Sequence, residues 1–160
     1  MKIRKGLQVA VDVEDIAFGG RGLARLEGLA VFIDQAIPGD RVTIRIFKKK
    51  KNYAEARVVE LIEASPFRIV PPCEYSGFCG GCKWQFLNYD QQLIYKRQHV
   101  LDSLKHIGHI KDVTVHPTIP SGVIFGYRNK MEFSCADKRW LLPAEMDRPE
   151  IDRKFALGLH

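Results

Sequence analysis

The sequence predicts a mainly β chain with α: an N-terminal OB-like five-stranded barrel over residues 1–63, then a small α+β unit over 64–160. Three observations predict it. Short runs of alternating apolar and polar residues, the mark of half-buried strands, recur between residues 6 and 62. Strong turn signals separate those runs at even spacing. A cysteine cluster then gives way to one amphipathic helical pattern and further alternating stretches. With 160 residues, 46% of them hydrophobic, the chain has room for one large domain or two small ones.

In the first strand Leu7, Val9, Val11 and Val13 alternate with polar or small neighbours. The glycine-rich stretch Asp15-Ile16-Ala17-Phe18-Gly19-Gly20-Arg21-Gly22 makes a loop before the second strand, residues 23–26. Glu27-Gly28 is a tight hairpin turn into the third, Leu29–Asp34. Pro38-Gly39-Asp40 turns the chain into the fourth strand at 41–47, with Val42, Ile44 and Ile46 on one face and Arg41, Thr43 and Arg45 on the other. The run Lys48-Lys49-Lys50-Lys51-Asn52 reads as a loop, and Tyr53–Glu63 as the fifth strand. Five short strands of this spacing suit a small closed barrel.

Such barrels bind single-stranded nucleic acid through a basic groove and aromatic platforms. Phe18, Arg21, Arg45, Lys48, Lys49, Lys50, Lys51 and Tyr53 are the candidate contacts, with Arg25, Arg41 and Phe47 beside them. The plainer reading of the lysines is a solvated loop guarding a sheet edge. The net charge of +6 is drawn mostly from this first part and favours an anionic partner. No apolar run approaches the ~18 residues of a membrane span, so no membrane partner is expected.

Pro66, Pro71 and Pro72 stiffen the passage to the second unit. Its centre is Cys73-Glu74-Tyr75-Ser76-Gly77-Phe78-Cys79-Gly80-Gly81-Cys82, three of the four cysteines in a C-x5-C-x2-C pattern. Gly77, Gly80 and Gly81 can take positive φ and leave backbone N–H groups to point at sulfur. Three inert buried thiols would have no need of that spacing. Structural zinc prefers two cysteine knuckles, and only Cys79 and Cys82 form one. A three-cysteine segment closed by one distant cysteine suits an iron–sulfur cluster better. Clustered cysteines without a disulfide framework fit a reducing cytoplasm.

Beyond the loop, Asn88 caps a helix with Gln91 placed to return the bond, and Gly108 closes it. Its apolar stripe, Leu93 to Ile107, is expected to cover a sheet, with His99, His106 and His109 as surface residues. Residues 111–119 read as a strand. Tyr127 to Cys135 alternates, with Tyr127, Met131, Phe133 and Cys135 expected in the core and Arg128 and Lys130 on the polar face as candidate phosphate contacts. A turn at 136–138 then leads to strands at 139–142 and from Phe155. With no closing signal after the last, the chain reads as incomplete.

The glycine-rich loop together with Val31-Phe32, Pro38-Gly39-Asp40 and Tyr53-Ala54 resembles a TRAM domain, an RNA-binding barrel attached to RNA-modifying enzymes. With the C-x5-C-G-G-C loop, the run Phe125 to Ser134 and the ending Ala156-Leu157-Gly158-Leu159-His160, the whole chain resembles the iron–sulfur, S-adenosylmethionine-dependent RNA (uracil-5-)-methyltransferases. That resemblance implies that Cys73, Cys79 and Cys82 are three ligands of a [4Fe–4S] cluster, with the fourth beyond residue 160. It implies a methyltransferase domain, with its cofactor site, cysteine nucleophile and carboxylate base, also beyond residue 160. The 160 residues are then expected to bind RNA, ribosomal ahead of transfer RNA, and to be inactive alone, with no obligate protein partner. The alternative is a stand-alone RNA-binding module with a zinc-stabilised cysteine loop.

Overall fold

The computed structural model describes residues 2–139, 141–142 and 145–159. The chain forms two compact units, Met1–Val70 with Trp84–Pro120 and Pro71–Lys83 with Ser121–His160.

Six strands make the first sheet: β1 Gln8–Asp12, β2 Asp15–Ile16, β3 Gly22–Leu26, β4 Leu29–Asp34, β5 Arg41–Lys49 and β6 Tyr53–Glu63. Their order is β1-β5-β6-β4-β3-β2, antiparallel except for the parallel β4–β6 pair. β1 and β2 lie at opposite ends of this order yet follow one another in the chain. Glu14 N donates to Leu23 O at 2.9 Å across that join. The sheet therefore curls on itself: the expected first strand bends after Asp12 and continues into Asp15–Ile16, which were expected to belong to the glycine-rich loop. Counted so, the barrel has five strands in cyclic order 1-2-3-5-4, as expected of an OB-like fold.

Alternation fills the interior. Val11, Val13, Ala24, Val31, Ile33, Ala36, Val42, Ile44, Ile46, Ala54 and Ala56 form one buried core. Gly22 is required where β3 runs close to the next turn, because a Cβ there would stand 2.8 Å from Ala36 O. The Pro38-Gly39-Asp40 turn is tied to the connector by Asp40, whose side chain is fully buried. Its carboxylate accepts from Ile37 N and Ser65 N, each at 2.9 Å, and from the Arg68 guanidinium, Nε at 3.0 Å.

Past the connector, residues 67–69 pair with 86–88. Ile69 N donates to Phe86 O and Asn88 N to Phe67 O, and an antiparallel bridge joins Arg68 and Leu87. The two stems of the cysteine loop are thereby fixed to each other. Asn88 caps α1, Tyr89–Asp102, but through the N–H of Asp90. Gln92, one position beyond the expected Gln91, instead reaches back to Trp84 O and Leu87 O. The helix leaves through a π-helical turn at Ser103–Ile107. Gly108 stays right-handed at φ −78°, and His109 takes the left-handed conformation at φ 54°. The expected cap glycine is therefore displaced by one residue, because the π turn carries the backbone one position further. α1 buries no residue fully. Its Tyr95 packs, with Trp84, on the barrel-side cluster of Ile16, Ile37, Phe86 and Leu87.

Residues 111–119 form no strand. They run irregularly beside α1, where Arg97 Nε donates to Val115 O and Thr118 Oγ1 to Leu93 O. Those side-chain bonds take the place of a ladder.

In the second unit two strands pair antiparallel, β7 Phe133–Lys138 and β8 Lys154–Leu159. β7 starts later than expected and runs through the anticipated turn at 136–138, because each of those residues has β8 opposite or adjacent to it. Arg139, Leu141 and Leu142 are non-strand, and Arg139 is ion-paired to Glu145 at 2.9 Å; Trp140 lies outside the described residues. Tyr127, Met131, Phe133 and Cys135 were expected in a core and are all exposed. A two-stranded ribbon with no second layer among the unit's described residues has nothing to bury them under.

Candidate nucleic-acid interface and cysteine loop

The OB architecture binds at the face of its second and third strands and at the loops after its first and fourth. Here those are β3 and β4, residues 17–21 and residues 50–52. The candidate residues gather there unevenly. Phe18 sits in the first loop and is 84% exposed. The loop closes on itself by Ala17 N to Arg21 O, 2.8 Å, and Gly20 N to Ala17 O, 2.9 Å.

Arg21 is engaged with the barrel itself, 3.0 Å from Asp34 and 3.5 Å from Glu55. Lys48 and Lys49 belong to β5 and not to the loop. Lys48 Nζ lies 2.7 Å from Glu55, and Lys49 Nζ donates to Lys50 O at 2.7 Å. The Lys48 bond holds the Glu55 carboxyl below the usual carboxylate range, and the same bond raises Lys48. Lys50 and Lys51 are the exposed loop pair. Tyr53 opens β6 and meets Phe32 of β4 edge-on, centroids 5.7 Å apart. Arg45 is exposed on β5.

Register adds residues that the sequence did not single out. Arg57 of β6 lies directly opposite Arg45 and stands over the Phe47 ring at 5.3 Å from its centroid. On its other side Arg57 lies opposite Asp34 of β4, which places a carboxylate next to the two like charges. Phe32, between the buried Val31 and Ile33, faces outward by alternation. That signal was readable, but its meeting with Tyr53 depends on the parallel β4–β6 pairing. Arg128 and Lys130 are exposed in irregular chain before β7, so there is no polar strand face to carry them.

The cysteine loop is two successive turns, with Ser76 N donating to Cys73 O and Cys79 N to Tyr75 O. Gly77 takes φ 87°, whereas Gly80 and Gly81 are not among the positive-φ glycines. Gly81 N donates to Cys79 Sγ at 3.4 Å, the kind of bond that tunes a thiolate ligand. No disulfide joins the four cysteines. The donor chemistry fits an iron–sulfur cluster: three thiols on one tight loop, one receiving a backbone N–H. The arrangement does not yet gather them. Among the described residues no three His, Cys, Asp or Glu side chains converge as a metal-holding group. Beside the loop, within the second unit, lies an aromatic cavity of about 520 Å³ lined by Tyr75, Phe78, Cys79, Phe133, Arg139 and Phe155 among others. Among the described residues no helix is long and apolar enough to cross a membrane.

The TRAM domain family matches residues 4–59. An uncharacterized RNA methyltransferase of Chlorobaculum tepidum is 41% identical over all of this chain and 34% of its own length. One from Bacteroides thetaiotaomicron is 41% identical over 91% of this chain and 32% of its own, and one from Halalkalibacterium halodurans 42% identical over 85% and 30%. A solution structure of a conserved protein from Methanococcus maripaludis is 32% identical, over 36% of this chain and 81% of that one, with a TM-score of 0.35. The chain spans about a third of the length of the curated relatives it matches. Residues 4–59 match the TRAM domain, and along its length the chain is similar to proteins that carry the name RNA methyltransferase.

Proposed function

We propose that this chain is the RNA-binding and iron–sulfur portion of an S-adenosylmethionine-dependent RNA uridine C5-methyltransferase that acts on ribosomal RNA in the cytoplasm. One observation carries the reading: a chain related along its full length to RNA methyltransferases begins with a barrel whose binding loops present Phe18, Lys50 and Lys51. A single strand tracks a basic groove and stacks its bases on rings. Arg45 and Arg57 supply phosphate contacts on β5 and β6, and Phe32 and Tyr53 supply rings. In this reading Arg128 and Lys130, in the second unit, are further phosphate contacts.

Cys73, Cys79 and Cys82 would hold the [4Fe–4S] cluster, with a fourth ligand from outside these residues. The bound cluster would cross-link a loop that has little apolar burial of its own. Methyl transfer to C5 requires a cysteine that adds to C6 and a base that takes the C5 proton. No residue of this chain is assigned to either role, so the chain alone binds RNA and does not methylate it.

The test is purification without oxygen, followed by iron, acid-labile sulfide and a visible spectrum, then competition between ribosomal and transfer RNA. Iron with sulfide, and preference for ribosomal RNA, are expected. Zinc without sulfide, together with RNA binding, would overturn the cluster in favour of an RNA-binding module with a zinc-held loop. A preference for transfer RNA would overturn the substrate assignment alone.

A further inference from the structure

Phe18 is a large apolar side chain left 84% exposed at the tip of a glycine-rich loop. Gly19 and Gly20 follow it at φ 92° and 88°. Such a loop would ordinarily sample many conformations, and a ring on it would pay an ordering cost on binding. Here it is bracketed. Two residues before Phe18, Ile16 O accepts a hydrogen bond from His99 Nε2 at 2.9 Å. Two residues after it, Gly20 O accepts one from Trp84 Nε1 at 3.1 Å. A carbonyl only accepts, so Nε2 of His99 carries the proton. The His99 ring also stands 5.8 Å from the ring of Phe18 and 5.8 Å from that of Trp84.

Both donors come from outside the TRAM match. Trp84 lies on the returning stem of the cysteine loop, where Gln92 of α1 bonds its carbonyl at 3.0 Å. His99 lies on α1 one turn after Tyr95, which packs against the cluster that contains Ile16. The far end of the same loop is fixed by Arg21 on Asp34 and Glu55. The hydrogen bonds and ion pairs hold the loop's backbone and its base, and the Phe18 ring, with the His99 ring beside it, stays 84% exposed.

We propose that Trp84 and His99 are positioning residues of the RNA interface, which brace the loop so that Phe18 is presented as a preformed stacking platform for an RNA base. This rests on the RNA-binding function proposed above. Bracing removes the ordering cost before RNA arrives, so its effect on affinity passes through the Phe18 ring.

The experiment is a double-mutant cycle on the whole chain, read by fluorescence anisotropy against a twelve-nucleotide single-stranded oligouridine. Phe18→Ala is expected to weaken binding about tenfold, the worth of one base–aromatic stack. Trp84→Phe keeps a ring and removes the N–H, and it is expected to weaken binding about threefold when Phe18 is present. In the Phe18→Ala background the same change is expected to cost nothing more. His99→Gln, which keeps an N–H donor, should hold affinity within about twofold, whereas His99→Ala should lose about threefold. If Trp84→Phe fails to fold, the two His99 variants complete the cycle. Equal losses with and without Phe18 would overturn the positioning role and leave RNA binding standing. Wild-type protein that does not bind the RNA would overturn the RNA-binding function, and this proposal with it.

Discussion

The barrel unit and the cysteine unit are built on opposite terms. In the barrel, ten described strand and turn residues have no measurable exposure, Ile33, Ile37, Ile44 and Ile46 among them. In the second unit, residues 71–83 and 121–160, no described residue is buried, and Phe133, Phe155 and Leu157 are each more than half exposed. The first unit is ordered by the water it excludes. The second holds its shape through turns, one six-residue ribbon and the Arg139–Glu145 pair, which together bury too little apolar surface to offset the entropy of ordering. An apolar core orders the first unit, and the cluster proposed above would supply the second with the order its packing does not.

The largest break in that contrast should come from Asp40→Ala. It removes the acceptor of two backbone N–H groups and strands Arg68, and loss of one partner of a buried pair costs about 3–5 kcal/mol. Urea denaturation should show the barrel's midpoint fall accordingly; an unchanged midpoint would mean that the connector is not tied through this carboxylate. Next comes Ile44→Ala, expected to cost about 2–5 kcal/mol as a buried large-to-small change. Its counterpart Phe133→Ala should stay within about 0.5 kcal/mol, as exposed substitutions do. Comparable losses from the two would erase the distinction between the units.

Cys79→Ser sharpens the comparison. Bound iron should be lost and the loop at 71–83 should become open to protease, while the barrel's urea midpoint moves by less than about 0.5 kcal/mol. A barrel that unfolds with the loop would contradict their independence. The smallest effect is electrostatic. The lowered Glu55 carboxyl contributes stability that is full above the ordinary carboxylate range and is lost as pH falls through its depressed value. The raised Lys48 amine contributes stability that is full below the ordinary lysine range and is lost as pH rises through its elevated value. Thermal melts should therefore decline at both extremes, and Glu55→Gln should flatten both arms. A variant with the same two-sided profile would assign the pH dependence to other groups.

Alternation was enough to place the barrel, because Val42, Ile44 and Ile46 can point inward only if Arg41, Thr43 and Arg45 point outward. It was not enough for Tyr127 to Cys135, where the same pattern leads to no core: alternation states which residues share a face and not whether anything covers it. Nor could it see the bracket around Phe18. Trp84 and His99 lie more than sixty residues from the carbonyls they bond, and nothing in their local sequence marks them as partners of the glycine loop.

By itself the sequence determined the five-strand barrel, the turns at Glu27-Gly28 and Pro38-Gly39-Asp40, the helix start at Asn88 and the clustering of Cys73, Cys79 and Cys82, since period, turn chemistry and spacing are local properties of the chain. Tertiary structure alone decided that β1 and β2 are one bent strand, that Arg57 faces Arg45, that Lys48 and Arg21 spend their charge on Glu55, and that α1 braces the barrel's loop. Each of these depends on register or on contacts between distant segments, which become fixed only when the strands pair and the helix docks.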